Sequence, residues 1–377
     1  MSSYAEVFAP GEFLKEELEA RNWSQTEFAE IIGRPVRLIN EIIAAKKSIT
    51  PETAVQLAAS LGTSAELWMN LETQYQLSKV RTKDAEIERK AKLHAKFPVR
   101  ELIKRGWIER TKDIAVLETQ ILAFYDLKSA DDIPHLAHAA KKSSQNVTML
   151  QWTWLFRARQ IAASQVVRKY RPAALDHALE KLHTLLSAPE ELRKVPAILS
   201  EAGVRLVLIE ALPNSKIDGA CLWLTPDQPV IALSVRLDRI DNFWFVLRHE
   251  IEHLLREHGK DAQVMVDEDL CDSDSPSVAA EERVANAVAS QFAVPDNELV
   301  DYMTRVKPYY FTEQRVLGFA GRLGVHPGLV VGRLQKRLEK TSYPTPYKFL
   351  RAYLVKVRHI LMQSTAADGW GTIYPSK

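Results

Sequence analysis

His249, Glu250 and His253 stand in the order H-E-x-x-H within WFVLRHEIEHLLREH, residues 244–258. Two histidines four apart on a helix share one face, so both imidazoles can reach a single Zn²⁺ ion. Glu250, in the turn between them, can take a proton from a water activated there, which is the chemistry of a metal-dependent hydrolase. Leu247, Ile251, Leu254 and Leu255 recur at helical spacing and mark a second, buried face. The bland alternative is an amphipathic helix with solvated His and Glu. Against it stands the apolar approach of Phe243, Trp244, Phe245, Val246 and Leu247, because a buried helix does not carry such polar groups without partners.

A catalytic zinc needs a third protein ligand and an open position. The downstream stretch EERVANAVASQFAVP, residues 281–295, offers Glu281 and Glu282 at the start of a second helix. Glu282 can reach the metal while Ala285 and Ala289 permit close helix packing. The alternative for both carboxylates is a favourable interaction with a helix N-terminus. Upstream, the pattern is that of strands: VRLVLIEAL (204–212), GACLWLTPD (219–227) and QPVIALSV (228–235). The Pro226-Asp227 turn predicts a hairpin directly before the H-E-x-x-H helix. Residues 230–235 are expected at the edge of a small antiparallel sheet, where an extended peptide can add as a further strand.

The 377 residues suffice for two or three domains, and 50 basic against 48 acidic side chains give a formal net charge of +2. So balanced a charge excludes a global polyelectrolyte; any nucleic-acid binding comes from a local patch. Cys221 and Cys271 are too few for a disulfide framework, the N-terminal residues do not read as a basic-then-apolar signal segment, and no apolar run reaches membrane length. These features predict a cytoplasmic protein with no membrane partner.

From Gly11 the punctuation predicts five short helices: GEFLKEELEARN, SQTEFAEIIG, PVRLINEIIAAKK, TPETAVQLAASLG and SAELWMNLETQYQLSKV. Ser24 with Glu27 makes a capping box, Gly33 closes the second helix, Pro35 suits the start of the third, and Thr50-Pro51 and Thr63-Ser64 begin the next two. This is the arrangement of a helix-turn-helix domain, with the third helix entering the major groove of double-stranded DNA. Arg34, Arg37 and Asn40 are the candidates for base edges, and Gln25, Lys46 and Lys47 for phosphates. A plain helical bundle with a basic rim is the alternative.

Residues 10–77 resemble the DNA-binding domain of HigA-type antitoxins, within the larger Cro/repressor-like group. The resemblance is carried by PGEFL (10–14), WSQTEFAEIIG (23–33) and AAKKSITPETAVQLAASLGTSAELWMNLETQYQL (44–77). It implies a homodimer on a palindromic operator, often that of its own operon. Ala44-Ala45 stands where that family usually has Asn-Gly, so the turn after the third helix is expected to differ.

Residues 81–96, RTKDAEIERKAKLHAK, are a charged linker or an exposed helix. Residues 97–200 read as a helical middle region. Trp152, Trp154 and Phe156, with Arg157 and Arg159, are expected in its core rather than on a nucleic-acid surface, and His135 and His138 on the exterior. PYKFLRAYLVKVRHILMQ (346–363) reads as a basic amphipathic helix, followed by a mobile tail from Thr365.

Residues 203–335 resemble the ImmA/IrrE family of metallopeptidases through FWFVLRHEIEHLL, EERVANAVASQFAVP and GVHPGLVVGRLQ. The resemblance implies His249, His253 and Glu282 as metal ligands and Glu250 as the catalytic carboxylate. It also implies cleavage of helix-turn-helix repressors. Glu252 replaces the family's common Gly and Val288 its common Phe. His326, in GVHPG, is a candidate for contact with substrate or a developing oxyanion, or else a structural turn histidine. Cys271, in the acidic stretch 267–275, is a candidate for closing the metal's open position.

The expected fold is α+β and mostly helical. Residues 1–80 form an all-α helix-turn-helix domain, 81–96 the linker or helix and 97–200 the helical middle. Residues 201–340 form a zincin-like domain with a small antiparallel sheet, and 341–377 a helix and tail. The expected function is a DNA-binding, antitoxin-like regulator with a zinc-dependent endopeptidase, Mn²⁺ being a second possible metal. Its substrate would be a repressor, a partner protein or this chain. The alternative is a non-enzymatic antitoxin that neutralises a toxin, with a structural or sensory metal.

Overall fold

The computed structural model describes residues 8–134, 136, 147–258, 265–268, 280–306, 311–339, 341 and 348–370. His135, His138 and Cys271 lie outside the described residues. The chain divides into two compact units, Met1–Lys92 and Leu93–Lys377.

The first unit contains α1 (Pro10–Ala20), α2 (Gln25–Ile32), α3 (Val36–Ile43), α4 (Pro51–Leu61) and the start of α5 (Ala65–Lys96). The caps follow the sequence. Ser24 Oγ accepts from the Glu27 amide while the Glu27 carboxylate accepts from the Ser24 amide, and Thr50 caps α4 through the Thr53 amide. Gly33 ends α2 in the left-handed region at φ +64°. Leu14, Phe28, Ile39, Ile42, Leu57 and Trp68 fill the core. After α3 the chain turns through Ala45 at φ +53°, the position where the antitoxin pattern has Gly. Residues 81–96 are helical, continuous with the rest of α5, and side chains 86–92 are exposed.

The second unit is built on a five-stranded sheet in the order β4-β2-β3-β1-β5. Its strands are β1 (Arg205–Ile209), β2 (Ile217–Trp223), β3 (Pro229–Leu233), β4 (Met265–Glu268) and β5 (Ala366–Asp368). β2 runs antiparallel to β3 and β4, whereas β1 runs parallel to β3 and β5. The sheet is therefore mixed, not antiparallel, and of residues 230–235 the first four lie in the central strand β3, not at an edge. β3 pairs with β2 on one side and β1 on the other, and both faces of the sheet are covered. Leu206, Leu208, Cys221, Trp223, Ile231 and Leu233 enter one core, while the alternate residues Val207, Ile209, Ala220, Leu222, Val230 and Ala232 enter another. A strand covered on both faces reads as an unbroken apolar run.

One face carries α6 (Val99–Lys104), α7 (Ile114–Tyr125) and α8 (Met149–Ala163), whose apolar residues share a core with the sheet. Trp154 and Phe156 are buried there, the Trp154 indole donates to the Ile209 carbonyl at 3.1 Å, and Arg157 pairs with Asp368. The other face carries α9 (Pro172–His183), α10 (Val195–Glu201) and α11 (Ile240–Leu255). On that side also lie α13 (Asp296–Arg305), α14 (Glu313–Leu323) and α15 (Pro327–Glu339). The helical middle thus shares its cores with the sheet.

The C-terminal stretch departs from the expected helix and mobile tail. A short 3-10 turn at Arg351–Tyr353 and α16 (Arg358–Leu361) lead into β5. Asp238 Oδ1 accepts from the Val357 and Arg358 amides, holding the start of α16. Thr365, Ala366 and Asp368 are buried, and Asp368 also accepts from the Trp107 indole at 2.8 Å. Main-chain pairing with β1 orders this segment, and a three-residue strand leaves no periodicity to read. Among the described residues no helix is long and apolar enough to cross a membrane.

Candidate metal centre

α11 realises the two faces its spacing predicts. Leu247, Ile251 and Leu254 enter the core, and His249, Glu250 and His253 are fully buried as well. Burial of the second set is met by α12 (Ala280–Gln291), which packs on α11 and whose Ala285 and Ala289 are buried. Glu282 in the first turn of α12 faces the two imidazoles, whereas Glu281 is exposed.

The two His Nε2 atoms are 2.9 Å apart, and the Glu282 carboxylate oxygens lie 3.3 Å from His249 Nε2 and 3.5 Å from His253 Nε2. Bonds of about 2.0–2.1 Å in a tetrahedral zinc site imply donor separations of about 3.3 Å. The three separations, the last two to different oxygens of Glu282, lie near that value. Two imidazole nitrogens and one carboxylate, nearly removed from water, fit a divalent ion with an open fourth position.

Glu250 is positioned by β2. A Cβ on Gly219 would stand 2.2 Å from Glu250 Oε1 and 2.9 Å from Val246 Cγ1, so the missing side chain is the space the carboxylate occupies. Sequence reading missed Gly219; the signal is a glycine within an otherwise apolar strand.

Glu252 takes no part in the cluster. Its carboxylate accepts from Arg248 and Arg256, each at 2.8 Å, one helical turn before and after it. Burial would raise this carboxyl, but the two guanidinium hydrogen bonds outweigh it and hold Glu252 below the ordinary carboxylate value. Arg248 also lies over the Phe292 ring, just beyond α12. The departure from the family pattern therefore braces the helix.

His258 was also missed. The His253 and His258 Nδ1 atoms are 2.8 Å apart. Burial and the neighbouring His253 hold His258 below the ordinary histidine value.

The structure does not bring His326 to this cluster. Its Nδ1 accepts from the Gly328 amide at 3.1 Å, and its own amide donates to Leu186, so it caps the start of α15. A Cβ on Gly328 would touch both His326 Nδ1 and Ile240, the first residue of α11. His249 lies nine residues further along, about 13 Å of helix rise. The turn sequence Val-His-Pro-Gly supplies a cap, which explains the histidine without chemistry.

In the first unit, Asn40, Lys46 and Lys47 are exposed and Gln25 is half-buried. Arg37 is exposed and pairs with Glu41 on its own helix at 2.7 Å. Arg34 is engaged by α4, its Nε donating to Gln56 at 2.8 Å and a second nitrogen lying 2.6 Å from Glu52. It is thereby set apart from the other base-reading candidates.

Comparison with known proteins follows the same division. Residues 14–68 match the family model described as helix-turn-helix, and residues 200–335 match the peptidase-family model described as IrrE N-terminal-like domain. Over 69 residues, 18% of this chain, the sequence is 30% identical to "Uncharacterized HTH-type transcriptional regulator YddM" of Escherichia coli, spanning 73% of that protein. Over 69 residues it is 36% identical to virulence-associated protein I of Dichelobacter nodosus, spanning 64% of it. The solved structure of an addiction module antidote protein of a HigA family from Coxiella burnetii is 31% identical. That likeness covers 23% of this chain and 95% of that one, with a TM-score of 0.22.

Proposed function

We propose that this chain, which belongs to the helix-turn-helix family of transcriptional regulators and carries an IrrE N-terminal-like peptidase domain, is an operator-binding regulator with a zinc-dependent endopeptidase. One observation carries the enzymatic half: His249, His253 and Glu282 converge within reach of one ion, while Glu250, on the same helix, is seated against Gly219.

Zn²⁺ bound there supplies a Lewis acid for a peptide carbonyl and an attacking water, and Mn²⁺ suits the same donors. His249 and His253 give their Nε2 lone pairs, and Glu282 gives a carboxylate oxygen. Glu250 accepts the proton of the attacking water and delivers it to the leaving amine. Its fixed place against β2 keeps the carboxylate near the reacting atoms instead of swinging toward other partners. β4, at the end of the sheet, supports docking of an extended substrate by strand addition.

The substrate is a protein, a helix-turn-helix repressor being the first candidate and a partner protein the second. Self-cleavage within residues 81–96 would require unwinding α5, since a peptidase reads extended backbone. On the DNA side, the exposed Asn40 and Arg37 of α3 read bases, Lys46 and Lys47 neutralise phosphates, and a homodimer matches a palindromic operator. Such a DNA partner is met in the cytoplasm.

The test is to incubate the zinc-loaded full chain with purified helix-turn-helix repressors of its own genome and follow intact masses. A discrete cut in at least one repressor is expected. Intact repressors throughout would overturn the assignment of substrate.

A further inference from the structure

Resting on the metal-site reading above, we propose that His258 is a positioning residue that fixes the tautomer and ring plane of the ligand His253. α11 ends at Leu255. Arg256 is the C-cap, Glu257 is left-handed at φ +55°, the Glu257 amide bonds to Leu254 O, and the His258 amide bonds to His253 O, both at 2.9 Å. This is a Schellman ending, which brings the second residue past the cap back beside the third residue before it. Those two residues are His258 and His253. An apolar pair usually occupies these places; here two imidazoles do.

The contact assigns protons. His253 directs Nε2 at His249 and Glu282, and its Nδ1 lies 2.8 Å from His258 Nδ1. An imidazole that gives its Nε2 lone pair to a cation carries its remaining proton on Nδ1. His253 is therefore the donor and His258 Nδ1 the acceptor, which puts the proton of His258 on Nε2. A ligand imidazole whose second nitrogen has a fixed partner is held in one tautomer and orientation, and loss of such a partner typically costs about 10–100-fold in metal affinity.

His258 is itself anchored. Its carbonyl accepts from the Trp223 indole at 2.9 Å, tying the helix end to β2. The acceptor is thus placed by main-chain bonds, a helix ending and a strand.

The test measures Zn²⁺ affinity of the full chain by competition with a chromophoric chelator, for wild type, His258→Leu, His258→Asn and His253→Ala. The Leu variant keeps the bulk but offers no acceptor, and should bind about 10–100-fold more weakly. Asn places an oxygen where Nδ1 stood, and should recover most of the loss. Equal affinity in wild type and His258→Leu, or equally weak binding by Leu and Asn, would overturn the positioning role. If wild type binds no better than His253→Ala, the metal-site reading falls and takes this inference with it. Should His258→Leu not fold, histidine-nitrogen NMR of the zinc-loaded wild type decides. The proposal requires a proton on His253 Nδ1 and a bare His258 Nδ1; a proton on His258 Nδ1 would refute it.

Discussion

A Cβ atom on Gly219 would lie 2.2 Å from Oε1 of Glu250, so the catalytic candidate occupies volume that only glycine leaves open. The relationship is across elements, from β2 to α11, and neither helix periodicity nor the H-E-x-x-H spacing hints at it. Gly219→Ala should displace the Glu250 carboxylate and lower peptide cleavage by about 100-fold, a loss in the range of general acid–base contributions. Zn²⁺ affinity should stay near that of wild type, because the atoms nearest a Cβ there belong to Glu250 and Val246, not to a metal ligand. Equal cleavage rates would show that Glu250 has room to retreat and remain active.

Glu252 should contribute stability without contributing to the metal. Glu252→Gln is expected to lower unfolding free energy by roughly 1–3 kcal/mol at neutral pH, because Arg248 and Arg256 lose a charged acceptor. Since the folded carboxyl is held below its ordinary value, its stabilising contribution is complete above the ordinary carboxylate value, about 4.3, and fades as pH falls through the lower folded value. Urea unfolding of both proteins across that range should show the gap narrowing toward acid. A gap independent of pH would contradict the pairing.

Ala45 sits at φ +53°, where an L-residue with a Cβ is strained. Ala45→Gly should stabilise the first unit by up to about 1 kcal/mol, the relief of strain exceeding the added freedom of the unfolded chain. Thermal unfolding of the full chain, followed by circular dichroism, would register this as a higher first transition. A lower one would mean that the Cβ makes a compensating contact.

Much of this architecture was legible. The five N-terminal helices announce themselves because Ser24, Gly33, Thr50 and Gly62 are caps, and caps act locally. The buried chemical face of α11 was readable for a similar reason, its positions being fixed by helical spacing. What could not be read is pairing across distance. Residues 230–235 look like any apolar strand, and only pairing with β1 and β2 on its two sides makes β3 central. The segment 366–368 is too short for a pattern, and its order comes from β1. For His326 the sequence left two readings open, and its bonds to Gly328 and Leu186 favour the structural one.

Arg34 should behave differently from its neighbours in DNA binding. Lys46→Ala and Lys47→Ala should weaken operator and random DNA alike, each reducing the salt slope by about one. Asn40→Ala should relax base preference, by about 1–3 kcal/mol against the wrong base. Arg34→Ala should instead lower stability, since Arg34 links to Glu52 and Gln56 of α4. Operator titrations at several salt concentrations, with melting curves, separate these outcomes. A stable Arg34→Ala protein with altered base preference would return Arg34 to the reading set.

The proposed chemistry has Glu250 act beside a metal held by His249, His253 and Glu282. Its most direct test compares wild type and Glu250→Gln, both zinc-loaded, on a proteome-derived peptide library, with zinc content measured in the same samples. One zinc per chain is expected in both, and new peptide termini from wild type alone. Matching cleavage by both proteins, or full zinc content with no cleavage by wild type, would contradict it.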